Sequence, residues 1–252
     1  METVLLHKSA FLYVTSIFRL SSFVFANALL TGITKTFVPF YSSFPEICSN
    51  FATLRTNTCL IMNKYDIIHT IYPMPKASVD KLVENIAEVA YPKGSLILEA
   101  GKTERNIFFV GKGIVRAYVE AKGKEITFWI GAEGATVVSL KSYIGNAPGY
   151  ETVECMEDVI LYVLKQSVLA RLFQEDIHIA NWERKFAETE FLQTEEKFIP
   201  LLFTSAAERY EVLLKNNPEL LQRIPLECLA TYLGITPVSL SRIRAGIGKR
   251  QG

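Results

Sequence analysis

The chain has 252 residues, 49% of them hydrophobic, and a formal net charge of +1. That length can bury one large core or two modest ones, and near-neutrality excludes a protein that coats nucleic acid nonspecifically, so any DNA contact is confined to one face. The four cysteines, Cys48, Cys59, Cys155 and Cys228, have neither zinc-ligand nor iron–sulfur spacing and read as reduced thiols of a cytoplasmic protein.

Residues 1–61 hold only Glu2 and Glu46 as acids and show no clear period. The apolar run 11–30 is interrupted by Arg19, Ser21, Ser22 and Asn27, and a charge at the centre of a span costs about 2.5–3.5 kcal/mol, so no membrane segment is expected. The run also lacks the small-residue cleavage site of a signal peptide. An ordinary soluble domain opens at Met62, and residues 1–61 read as an extension foreign to it, namely upstream translated sequence. From 62 to 90 the apolar residues Ile67, Ile68, Ile71, Val79, Leu82, Val83, Ile86 and Val89 recur at helical spacing, broken by Pro73 and Pro75.

Between 91 and 164 the pattern changes to short β-branched and aromatic runs punctuated by glycine: KGSLILEAG, NIFFVGKG, IVRAYVEAKG, KEITFWIGAEG, ATVVSL and DVILYVLK. Strands so short and so regularly punctuated close into a small barrel or jelly roll, with or without a ligand. Alternation in IVRAYV sends Arg116 to the face opposite Val115.

Residues 168–203 read as one long helix. Ile177, Ala180, Arg184, Ala187, Phe191, Thr194, Phe198 and Leu201 form a heptad-like seam, while Ile179, Trp182 and Phe186 form a second stripe that can pack on the barrel. The seam suits either a second copy of the helix or an intramolecular core, and Pro200 should end or kink the helix near Phe198. Ser205 and Glu208 have capping-box spacing for a fresh helix, which Asn216-Asn217-Pro218 stops.

The segment RIPLECLATYLGITPVSLSRIR then has the pattern of a helix-turn-helix. A first helix over 226–232 buries Leu226, Leu229, Ala230 and Leu233. Gly234 makes the turn, Thr236 caps the second helix and Pro237 opens it. Val238 and Ile243 are expected to pack inward. Ser239, Ser241, Arg242 and Arg244 supply the polar positions, and Lys249 and Arg250 extend a local basic patch. A generic helical hairpin with a basic tail is the plainer reading of the same residues.

Barrel, long helix and helix-turn-helix, in this order, resemble the Crp/Fnr family of transcription regulators. The resemblance covers residue 62 onward and rests on KGSLILEAGKTERNIFFVGKGIVRAY, SAAERYEVLLKNNPELLQRIP and LATYLGITPVSLSRIR, most like the Bacteroidetes form of the family. It implies an α+β fold: an N-terminal cyclic-nucleotide-binding-like β-barrel (62–167), a dimerisation helix (168–203), and a winged-helix-like helix-turn-helix domain (204–252). It also implies a homodimer on a palindromic site in double-stranded DNA, with RNA polymerase as a further partner and no membrane. By alignment with the family, Pro237, Val238 and Arg242 fall at base-reading positions and Ser239 beside them. The DNA-contacting set is thus Thr236, Pro237, Val238, Ser239, Ser241, Arg242 and Arg244.

Cyclic-nucleotide-binding members carry a Gly-Glu pair for the ribose and an Arg followed by Ser or Thr for the phosphate. Here Gly134 precedes Ala135, and Glu151 precedes Thr152. A carboxylate at the phosphate position repels its ligand, so cyclic AMP is not expected to bind in that mode. No cofactor is implied with certainty, and an effector, if there is one, is an unidentified small molecule. No nucleophile elbow, phosphate loop or HExxH is present, and His7, His69 and His178 are scattered, so the chain is expected not to be an enzyme. A ligand-binding or interaction module that does not bind DNA is the rival reading.

Overall fold

The computed structural model describes residues 61–251, with side chains as far as Ile247. The expected extension 1–61 therefore lies, except for Ile61, outside the described residues. Two helices lead in, α1 (Lys64–Ile71) and α2 (Lys76–Val83). The Asn63 side chain caps α1 by accepting the Asp66 N–H at 3.0 Å.

Eight strands follow: β1 (Ile86–Tyr91), β2 (Leu96–Leu98), β3 (Ile107–Lys112), β4 (Val115–Ala121), β5 (Lys124–Gly131), β6 (Thr136–Val137), β7 (Thr152–Cys155) and β8 (Val159–Leu164). Helix α3 (Leu140–Gly145) sits between β6 and β7. Two four-stranded antiparallel sheets, ordered β1-β8-β3-β6 and β2-β7-β4-β5, pack face to face as a jelly roll. Ile86 and Val89, expected on a helix, lie instead on β1. Its full-length pairing with β8 outweighs the local helical spacing.

Strand alternation builds three cores at once. Phe108, Val110, Val115, Ala117, Val153, Cys155, Val159 and Leu161 point between the sheets. Ile107, Phe109, Tyr162 and Leu164 point the other way, into a layer formed by the helices. Ile114 leaves the barrel altogether and joins the core of the C-terminal helices. Arg116 lies on the face opposite Val115, as alternation requires.

The helical stretch after β8 is two helices, α4 (Gln166–Glu175) and α5 (Ile177–Phe203). They part at Asp176, whose side chain accepts the His178 N–H at 2.9 Å and starts α5 afresh. Ile179, Trp182 and Phe186 are buried against α1 and β3. Trp182 stacks on Phe186 at 5.9 Å, meets Phe109 edge-on at 6.3 Å, and donates its indole N–H to the Ile68 carbonyl at 3.0 Å. Further along α5, Leu192, Phe198, Leu201 and Leu202 are exposed. Pro200 does not end the helix, which runs on to Phe203. One missing N–H so near the terminus forfeits a single hydrogen bond, and the Thr204 N–H still closes the last turn on Pro200 at 2.9 Å.

Four helices complete the chain: α6 (Ala206–Asn216), α7 (Leu220–Arg223), α8 (Leu226–Tyr232) and α9 (Pro237–Gln251). Ser205 and Glu208 close a reciprocal capping box at the start of α6. Among the described residues no strand follows β8, so the winged-helix-like domain is all-helical here. No helix among them is long and apolar enough to cross a membrane.

Candidate nucleic-acid interface and sensor cassette

The α8–α9 pair is held by a turn that only glycine fits easily. Gly234 has φ +70°, its N–H reaches the Thr231 carbonyl at 3.0 Å, and the Ile235 N–H reaches that of Ala230 at 2.9 Å. Gly234→Ala is expected to lower stability by about 1–2 kcal/mol through left-handed strain, measurable by thermal unfolding. Thr236 then caps α9, its hydroxyl accepting the Ser239 N–H at 3.2 Å. The Arg209 guanidinium braces the turn by donating to the Leu233 carbonyl at 2.8 Å.

Inward on α9 are Leu240, Ile247 and, partly, Ile243, packed on Tyr210, Leu229, Ala230 and Leu233. Val238, expected to share that face, is 61% exposed. The helical period counted from Leu240 turns it outward, beside Ser241 and Arg242. Thr236 is also exposed, and Pro237 and Ser239 are half-buried. Arg244 is half-buried too, its guanidinium 5.7 Å from the Tyr210 ring centre, so it braces the domain rather than projecting freely. The chemistry offered outward is a short hydroxyl, a methyl-bearing side chain and a planar cation.

This helical unit is docked on the barrel. Helix α8 lies on β5, where the Thr127 N–H donates to the Thr231 hydroxyl at 3.2 Å. Arg223, at the end of α7, forks onto Glu133 with contacts of 2.8 and 3.1 Å and also pairs with Glu157. The Gly113 N–H adds a second donor to Glu133 at 2.9 Å. Burial alone would push the Glu133 carboxyl up, but the Arg223 and backbone donors outweigh it and hold the group below its ordinary value. A depressed folded value means that this contribution is complete above about pH 4.5, the ordinary carboxylate value, and is lost as the pH falls through the folded one. Arg223→Ala is expected to cost about 1–2 kcal/mol, the pair being only half-buried, and to speed amide exchange in α8 and β5 together.

Sequence reasoning passed over Arg223, Glu133 and Glu157. Arg223 is 90 residues from Glu133 and 66 from Glu157 along the chain, with no motif to flag the three.

Beneath α8 the Arg116 guanidinium donates to Glu154 at 2.7 and 3.0 Å, pairs with Glu125, and lies 4.4 Å from the Tyr118 ring centre. The free thiols Cys155 and Cys228 lie on β7 and α8. Burial, with help from Glu154, pushes the Cys155 thiol up to about 11, which leaves it protonated and unreactive at neutral pH.

The four cassette residues fall into two places. Gly134 and Ala135 form the β5–β6 turn next to Glu133; Gly134 abuts Met62, and Ala135 sits with Trp129 in the barrel core. Glu151 and Thr152 lie at the start of β7, where the Thr152 hydroxyl accepts the Ala100 N–H at 3.3 Å. Glu151 is turned toward Ser139 and Gly149 instead of toward Gly134. Ser139 was not singled out by the sequence, because a serine before a short helix reads as an ordinary cap. Among the described residues no cluster of three or more potential metal ligands occurs.

Residues 88–176 match the cyclic nucleotide-binding domain family. No curated protein sequence matches the chain. Among solved structures, FixK2 from Bradyrhizobium japonicum is similar over 66% of this chain and 86% of its own, at 20% identity and a TM-score of 0.55. A Crp/Fnr-family protein from Eubacterium rectale is similar over 72% and 88%, at 16% identity and a TM-score of 0.56. The c-di-GMP responsive global regulator CLP from Xanthomonas campestris is similar over 70% and 93%, at 15% identity and a TM-score of 0.53. Residues 88–176 thus match the cyclic nucleotide-binding domain family, and the fold of the chain is similar to that of these Crp/Fnr-type structures.

Proposed function

We propose that this protein is a sequence-specific DNA-binding transcription regulator of the Crp/Fnr type, cytoplasmic and homodimeric, with α9 as the helix that enters the major groove. The observation that carries this reading is the outward row Val238, Ser241 and Arg242 on a capped helix whose other face is fixed in a core. Arg242 can bind a guanine edge or a phosphate, Val238 can meet a thymine methyl group, and the small Ser241 lets the helix backbone approach. Thr236, Pro237 and Ser239 lie at the end of α9 that leads into the groove, and Arg244 acts by holding the helix against Tyr210.

The exposed side chains Leu192, Phe198, Leu201 and Leu202 support pairing of α5 with its copy in a two-fold dimer. Most of the heptad-like seam, including Ile177, Arg184, Ala187 and Thr194, is exposed as well. The two copies of α9 would read half-sites about 34–36 Å apart, which makes the site palindromic. RNA polymerase is the further partner this class of protein engages. The barrel acts as the sensor without taking cyclic AMP in the Gly-Glu and Arg mode. The Arg223 clamp offers a direct path from the β5–β6 turn to α8, in addition to the packing of α5. A bias of a few kcal/mol between two arrangements suffices for such a switch.

Gel shifts of genomic fragments with excess nonspecific competitor test the reading, with light scattering for oligomeric state. A sequence-selective shift from a dimer is expected. Absence of any selective shift would leave a ligand-binding or interaction module in its place.

A further inference from the structure

Helix α5 ends and α6 begins within two residues. Thr204 is the C-cap of α5 and Ser205 the N-cap of α6, and both have extended backbone. The Thr204 N–H and hydroxyl both donate to the Pro200 carbonyl, at 2.9 and 2.7 Å, while Ser205 is held by its capping box. At a joint this short, capped on both sides, two helices can change their mutual angle while each stays intact.

Arg209, in the first turn of α6, lies across that joint. Its Nη1 donates to the Thr204 carbonyl at 2.5 Å, five residues back, and its Nη2 to the Leu233 carbonyl at 2.8 Å, 24 residues on. Leu233 is the C-cap of α8 and immediately precedes the Gly234 turn into α9. A side-chain carbon on Gly234 would lie 4.0 Å from Nη2, so the guanidinium sits against the turn itself. The last carbonyls of a helix lack partners within it and carry the negative end of its dipole, so one cation suits both ends. The Arg209 Nε is buried without a partner. The side chain is thus enclosed, and leaves one donor unused while the other nitrogens hold the two carbonyls.

The two carbonyls belong to elements with different work. Helix α5 carries the exposed apolar seam read above as the dimer face, and the Gly234 turn aims α9. A planar guanidinium spans the two with separate nitrogens in a fixed geometry. A lysine ammonium is a point charge on a flexible stem and does not reproduce that span.

We propose that Arg209 is a positioning residue that couples the end of α5 to the turn before α9, so that the placement of the reading helix follows the dimer helix. Arg209 itself touches no base in this scheme. The proposal deepens the DNA-binding reading and rests on it only where DNA is the readout.

The test compares wild type, Arg209→Lys and Arg209→Ala as full chains, with circular dichroism to check that each is folded. Amide hydrogen exchange is expected to speed up at both ends of the bridge, in 203–205 and in 233–236, in both variants. Affinity for a selected fragment with two half-sites should fall about tenfold, while that for a single half-site changes by no more than about twofold. A loss confined to the paired site reports placement, because a lost contact would weaken both fragments. Arg209→Lys keeps the charge and the aliphatic stem, so it separates the bridge from charge alone and keeps the test open if Arg209→Ala does not fold. Wild-type behaviour of Arg209→Lys, faster exchange at one end only, or equal loss on both fragments would overturn the proposal. If the wild type selects no fragment, the DNA-binding reading fails, and the exchange result alone decides whether Arg209 joins the two elements.

Discussion

Trp182→Ala is expected to remove about 3–5 kcal/mol of folding stability, because among the described residues Trp182 heads the large side chains that are fully buried. The indole is fully buried where α5 crosses α1 and β3, and two of its contacts are the rings of Phe109 and Phe186. Its N–H also satisfies the Ile68 carbonyl, which would otherwise be left without that donor. A domain with about 5–15 kcal/mol in hand would lose much of its margin. Urea unfolding followed by near-ultraviolet circular dichroism would measure the loss. Trp182→Phe keeps most of the apolar area but not the donor, and should cost less than half as much. If alanine and phenylalanine prove equally mild, α5 is not anchored to the barrel through this residue.

Arg242→Ala is expected to weaken selective DNA binding by about 1–3 kcal/mol for each half-site, or roughly tenfold to a hundredfold, with no change in melting temperature. The separation of the two effects follows from exposure: Arg242 projects from α9, whereas Arg244 lies against Tyr210. Arg244→Ala should therefore lower stability as well as binding, and a comparison of the two needs melting curves beside fluorescence anisotropy. The salt dependence adds a second distinction. Loss of a phosphate contact flattens the slope of log K against log salt by about one unit per contact, while loss of a base contact relaxes sequence preference. An Arg242→Ala protein that binds its selected fragment as tightly as the wild type would remove α9 as the reading helix.

The legible parts of this chain were those decided within a few residues. The capping box at Ser205, the Gly234 turn and the Thr236 cap all depend on hydrogen bonds between near neighbours, and the structure has each of them. The stripe Ile179, Trp182 and Phe186 was legible for the same reason, since helical period alone puts three large apolar groups on one side. Where two periods competed, local reading failed. Ile86 and Val89 have helical spacing but lie on a strand, because β8 supplies a partner more than 70 residues away. Val238 fits an apolar helical period, but Leu240 and Ile247 occupy the core face of α9 and leave it exposed.

By itself, then, the sequence determined the order of elements, the glycine-punctuated barrel and the polarity of the final helix, all properties of short segments. Only the tertiary structure decided that Arg223 ties the helix-turn-helix to Glu133 and Glu157, and that Glu151 meets Ser139 over Gly149 instead of facing Gly134 and Ala135. Such pairings join residues far apart in the chain, and they depend on how the two sheets and the C-terminal helices pack, which no local period encodes.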